Sequence, residues 1–168
     1  MNSFEDYKYK KCKHLLFHGN DIVLIDKVIE CSENYIIVNA NLDKDSPFLD
    51  TYNGLKVFRI YKSIEMMAQS LGCFQYINMS MLGEGKAKIG FLLGARKFEI
   101  YIPHIEYNQE LFIETKLSVQ NNDGFGVYDS TIYIGSIADD NKAASAVLSV
   151  LSPKDDFIIQ LQGNKEAR

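Results

Sequence analysis

Two hydrophobic periods share this chain. Residues 22–29 (IVLIDKVI) are rich in β-branched side chains and read as a strand, and residues 35–42 (YIIVNANL) alternate as a second. Ser32-Glu33-Asn34 between them is a turn signal, so the pair is expected to form a hairpin. Residues 43–54 (DKDSPFLDTYNG) carry Pro, Gly, Asn and Asp and read as a loop. From about residue 56 the period lengthens. Ile60, Ile64, Met67, Ala68, Leu71 and Phe74 share one helical face, and Gly83-Glu84-Gly85 closes the helix near residue 82. This predicts one long helix near residues 58–81. Ala68 and Gly72 are a small pair at i, i+4 and predict the close approach of another backbone.

After the helix the strand period returns. Residues 88–102 form a long apolar stretch, with Gly90 and Gly94 as bulge or close-approach points. Residues 111–119, 125–134 and 144–151 are expected to form three more strands. Asn121-Asn122-Asp123-Gly124 is a hairpin-type turn, Ala138-Asp139-Asp140-Asn141 is a second turn, and Pro153 stops the last strand. Residues 1–17 read as an arm packed on the domain, and 154–168 as a tail that frays. The predicted order is strand, strand, loop, helix, four strands. One helix with small residues facing inward suits a curved antiparallel sheet wrapped around it, an α+β arrangement in a single domain over 1–168.

Composition narrows the function classes. At 168 residues the chain is long enough for a sizeable core. Its net charge of −4 argues against nucleic acid as a partner. The basic run Lys8, Lys10, Lys11, Lys13 reads as a solvated arm rather than a phosphate patch. Cys12, Cys31 and Cys73 are odd in number and lack metal-ligand spacing, so they are expected to be reduced thiols and no metal site is expected. With no apolar leader and no run long enough to span a membrane, a cytoplasmic location is expected.

The candidate chemistry centres on Ile64-Glu65-Met66-Met67-Ala68-Gln69. It sets one carboxylate among apolar and small neighbours inside the helical pattern. A carboxylate so flanked is expected to lie in an apolar pocket, with its pKa raised toward the range that suits proton transfer. Gln69 follows Glu65 at i+4 on the same side of the helix, placed to orient the carboxylate or to satisfy a buried backbone group. The histidines are His14, His18 and His104, and none lies just before Glu65.

Three blocks carry a family resemblance. The segment from His18 to Asp26 (HGNDIVLID), the segment from Ile64 to Gln69 (IEMMAQ) and the segment from Gly90 to Phe98 (GFLLGARKF) together resemble the hotdog-fold 3-hydroxyacyl-acyl-carrier-protein dehydratases. The third block, with Gly124-Phe-Gly-Val-Tyr-Asp129, is similar to the dehydratase-like branch found in aryl polyene pigment clusters. The resemblance implies a dimer whose sheets join edge to edge, as a homodimer or with another hotdog subunit. It also implies an acyl chain on the phosphopantetheine of an acyl carrier protein, with no other cofactor.

The family's helix carboxylate falls at Glu65, and its histidine would come from the preceding loop of the other subunit. Here that loop, residues 46–63, holds no histidine, and Arg59, Ile60 and Tyr61 replace the family's Pro-Gly. Ser46, Asp50, Thr51 and Tyr52 are the polar residues available for the vacated space, and Ser46 and Tyr61 are candidate orienting or pocket residues. Arg96 and Lys97 are candidate contacts for a carrier protein or the pantetheine phosphate. His18 and His104 read as structural. A lone glutamate can serve only if the thioester carbonyl is polarised, and the first-turn amides of the helix are the expected donors. Dehydration, a non-catalytic subunit supporting an active partner, and thioester hydrolysis all remain open on these residues.

Overall fold

The computed structural model describes residues 3–17, 19–83 and 90–152. Nine strands and one long helix are found among them. The strands are β1 (Lys27–Cys31), β2 (Tyr35–Asn41), β3 (Asp50–Tyr52), β4 (Leu55–Arg59), β5 (Phe91–Ile100), β6 (His104–Glu106), β7 (Glu110–Gln120), β8 (Phe125–Ile134) and β9 (Lys142–Leu151), and the helix is α1 (Ser63–Met81). Six strands form an antiparallel sheet in the order β1-β2-β7-β8-β9-β5, while β3, β4 and β6 form a separate three-stranded sheet.

The α1 helix is buried nearly all round, because two different surfaces cover it. Met66, Met67, Leu71, Phe74 and Ile77 join Val38, Ile113, Ile132, Tyr128 and Leu148 of the large sheet in one core. A helix covered on one side only would show a clean amphipathic stripe; this one does not need to. The buried Ser70 hydroxyl continues into the sheet, 3.1 Å from that of Thr115, which lies 2.9 Å from that of Ser130. On the other side the N-terminal arm packs down. A Cβ built on Gly72 would lie 2.8 Å from Leu16 Cδ2, so the small residue expected to allow close approach does so, toward a side chain of the arm.

The two edges of the large sheet differ. The arm covers β1: Tyr9 N–H donates to the Val28 carbonyl, and Val28 N–H to that of Lys10. At the other end, among the described residues, β5 pairs with β9 alone, and Phe91, Leu92 and Leu93 are exposed along it. The turn at Asn121–Gly124 forms as expected; Gly124 sits at φ +86, and a Cβ there would fall 2.0 Å from the Ser152 carbonyl oxygen.

Four sequence expectations are corrected. The loop over 43–54 contains β3 and the turn of a β3–β4 hairpin, with Asn53 at φ 49 and Gly54 at φ 80. The helix begins at Ser63 rather than near 58, because Leu55–Arg59 is a strand followed by the 3-10 turn Ile60–Lys62. Five described strands follow the helix rather than four, the additional one being β6, which also takes His104 out of a connection and into a sheet. The first strand starts at Lys27, not 22, because the backbone at Ile22 and Leu24 bonds a side chain of α1 instead of a ladder. Pro153, the tail and His18 lie outside the described residues.

Candidate functional site

The site is built where the extended segment before β1 crosses the start of α1. Gln69 is buried, and its amide is held at three points. Its Oε1 accepts the Leu24 N–H at 2.8 Å, and its Nε2 donates to the Ile22 carbonyl at 2.8 Å and to Glu65 Oε1 at 2.8 Å. The backbone N–H can only donate and the backbone carbonyl can only accept, so the two fix which end of the amide is oxygen. The remaining amide hydrogen is thereby aimed at Glu65, one turn earlier on the helix.

Glu65 itself is exposed in the single chain. The apolar pocket expected from its sequence neighbours is absent there. The reason is helical geometry: Met66 and Met67 turn into the core and Ile64 and Ala68 are half-buried, while Glu65 points outward from the same turn. Two large apolar or aromatic side chains close to it along the chain or through Gln69 are exposed as well. Tyr61, one turn earlier, is 60% exposed, and Ile22, whose carbonyl shares the Gln69 amide with Glu65, is 46% exposed. Among the described residues Glu65 has one hydrogen-bond partner, Gln69, and no histidine bonds it.

The other predicted residues separate. Tyr61 lies on the surface, in the 3-10 turn before α1, and makes no hydrogen bond to Glu65. Ser46 does not reach the site: its hydroxyl accepts the Phe48 N–H at 3.4 Å and its carbonyl the Leu49 N–H, a turn residue. Arg96 and Lys97 are exposed on the open edge strand β5, with Lys97 at φ 48 where the register with β9 shifts. The expected amide donors are partly used, since the Ser63 N–H is bonded to the Ile60 carbonyl through the preceding 3-10 turn.

The sequence reading missed a polar cluster on the small sheet. Asp50 Oδ1 and Oδ2 each lie 3.0 Å from Lys62 Nζ, which also donates to the Phe48 carbonyl, and Arg59 Nε is 3.9 Å from Asp50. The Arg59 guanidinium sits 4.5 Å over the Tyr52 ring, whose other neighbour is the His104 ring at 5.3 Å. Strand register makes the cluster, for Arg59 is opposite His104 and Tyr52 is two residues from Asp50. The Asn53-Gly54 pair was the sequence signal for this hairpin. Among the described residues, the buried Ser63 Oγ and His104 Nδ1 have no hydrogen-bond partner.

Comparison with known proteins places this geometry in a family. The family model ApeP-like, described as ApeP dehydratase, matches residues 10–161. A chain of the dehydratase heterocomplex ApeI:P from Xenorhabdus doucetiae is 25% identical, with 92% of this chain and 98% of that chain covered and a TM-score of 0.78. A hypothetical thioesterase with coenzyme A from Streptococcus pneumoniae TIGR4 is 13% identical over 74% of this chain and 83% of its own, at a TM-score of 0.54. The PaaI protein of E. coli is 14% identical over 77% of this chain and 80% of its own, at 0.53. These last two share the hotdog fold alone with this chain. No curated protein matches it.

Proposed function

The chain belongs to the ApeP-like family of ApeP dehydratases, and from this premise we propose that it supplies the carboxyl half of a shared dehydratase site acting on 3-hydroxyacyl thioesters. It is a dehydratase-like hotdog protein of the aryl polyene type. The observation that carries the proposal is the tether at Glu65: one carboxylate oxygen is held by Gln69, and the group faces outward from an incomplete site.

The chemistry follows from that arrangement. Dehydration breaks the C2–H bond and the C3–O bond, forms the C2–C3 double bond and releases water. One group takes the C2 proton and another protonates the departing hydroxyl. With Oε1 accepting from Gln69, Oε2 of Glu65 is the oxygen left to carry the proton to the hydroxyl. The base is assigned to a histidine of a second hotdog subunit. Tyr52, packed between Arg59 and His104, is one of the polar residues standing in the region where the family's own loop histidine would lie.

Two features support a partner subunit. Among the described residues the β5 edge has no strand partner beyond β9 and carries exposed Phe91, Leu92 and Leu93, a surface that natural sheets cover. Ile22, linked to Glu65 through Gln69, and Tyr61 in the turn before the helix leave exposed apolar surface at this end of α1, and a subunit covering Glu65 there would desolvate the carboxylate. A heterodimer with a histidine-bearing hotdog subunit satisfies both. The substrate is carried on the phosphopantetheine of an acyl carrier protein.

The test is turnover of a 3-hydroxyacyl thioester by the chain alone and by the chain mixed with a histidine-bearing hotdog subunit. Dehydration is expected only from the mixture, at a rate above that of the second subunit alone. Equal turnover with and without this chain would overturn the proposal.

A further inference from the structure

A second concave surface lies beside the segment that positions Glu65. It is an open groove of about 390 Å³ lined by Lys11, Lys13, Val23, Asp26, Lys27 and Asn39, among others. Asp26 sets one carboxylate among these lysines, and part of the groove's polar lining is engaged within the protein. Asp26 Oδ2 accepts the Asn41 backbone N–H at 2.7 Å and the Asn41 side-chain amide at 3.2 Å, while Asn39 Oδ1 accepts the Lys27 N–H at 3.1 Å. Among the described residues no ion pair neutralises Lys11, Lys13 or Lys27. Lys10 packs 4.4 Å over the Tyr7 ring and lies near the Asp6 carboxylate, away from the groove lining. The groove's basic concentration stands out in a chain of net charge −4.

Two features place the groove next to the site. Its lining residues Val23, Ile25, Asp26 and Lys27 belong to the segment whose Ile22 carbonyl and Leu24 N–H hold Gln69. The backbone of the arm that carries Lys11 and Lys13 is tied to the domain while both lysines stay exposed: Cys12 N–H donates to the Asp26 carbonyl, and Cys12 is buried. Three ammonium groups are therefore held on an ordered wall, which suits a broad acidic surface more than a diffuse counterion cloud. Arg96 and Lys97, by contrast, stand on the open edge that the proposed partner covers.

We propose that the groove of Lys11, Lys13 and Lys27 docks the acidic face of the carrier protein that delivers the acyl thioester. This rests on the carrier-bound substrate reading above. It places the carrier contact on this exposed arm rather than on Arg96 and Lys97.

The experiment compares the complex of this chain with its hotdog partner in wild-type form, as Lys11→Glu/Lys13→Glu/Lys27→Glu, and as Arg96→Glu/Lys97→Glu. Each is assayed on an acyl-carrier-protein-bound 3-hydroxyacyl chain and on the same acyl group as an N-acetylcysteamine thioester, with melting temperature as a fold control. The groove variant is expected to raise KM for the carrier-bound substrate by about tenfold or more. The small thioester should be turned over as by wild type, and added salt should weaken wild-type carrier binding. An unchanged carrier KM, or a loss confined to the Arg96/Lys97 variant, overturns the docking assignment and leaves the dehydratase reading standing. Turnover of neither substrate by the wild-type complex overturns both.

Discussion

Gln69 Nε2 lies 2.8 Å from Glu65 Oε1, and the same amide is pinned by the Leu24 N–H and the Ile22 carbonyl. The carboxylate to which we assign the chemistry is thus oriented by a buried residue that also ties the segment before β1 to α1. One side chain links the fold to the chemistry.

Replacing Gln69 with Leu should therefore act twice. It leaves a buried backbone N–H and a carbonyl without partners, which costs about 1–3 kcal/mol for each group left buried and unpaired. It also frees Glu65. Urea unfolding should show a lower midpoint, and turnover of the complex should fall further than the lost folded fraction accounts for.

Gly72 faces the arm. Because the contact is with the far end of a flexible Leu16 side chain, Gly72→Ala is expected to change stability by no more than about 1 kcal/mol, helix propensity offsetting the displacement. Gly72→Leu should push the arm off α1. A lower melting temperature together with faster proteolysis between residues 8 and 17 is the expected outcome.

The thiols should be silent in the native protein. Burial, with Glu5 and Glu30 nearby, pushes the Cys31 thiol up to about 11, and burial pushes Cys73 up as well. The reactive thiolate of Cys31 is then roughly a thousandth of the total at pH 8 and grows as pH rises toward 11. Cys12 is fully buried. Iodoacetamide at pH 8 should label none of the three cysteines natively and all three in denaturant, with native labelling of Cys31 increasing with pH.

The parts of the fold that depend on local period were legible in the sequence. Met67, Leu71 and Phe74 marked the helix, and the alternation over residues 35–42 marked β2. What failed depended on distant partners. Val57 and Phe58 are apolar at a spacing compatible with a helix, and the hairpin with β3 together with the distant pairing to Glu106 and Ile105 makes them a strand. Residues 22–26 carry β-branched side chains, yet their backbone is claimed by Gln69, 45 residues away from Leu24. At the site, the i, i+4 spacing of Glu65 and Gln69 was readable. The solvent exposure of Glu65 was not, because sequence neighbours on a helix point in different directions.

The open edge makes its own prediction. Leu93 is 57% exposed on β5, so Leu93→Glu changes the core little but places a charge where the partner sheet would join. Light scattering should show the complex falling to single-subunit masses, with the far-ultraviolet circular dichroism of this chain unchanged.

The measurement that tests the central claim most directly is dehydration of a 3-hydroxyacyl thioester by the complex carrying Glu65→Gln. The amide keeps the side chain's shape but cannot deliver a proton. Turnover should drop by about a hundredfold or more while assembly and melting temperature are retained. His104→Ala, which removes a ring packed on Tyr52 rather than one bonded to Glu65, should keep turnover. Wild-type rates from Glu65→Gln, or their loss in His104→Ala with the fold intact, would contradict the assignment of the chemistry to Glu65.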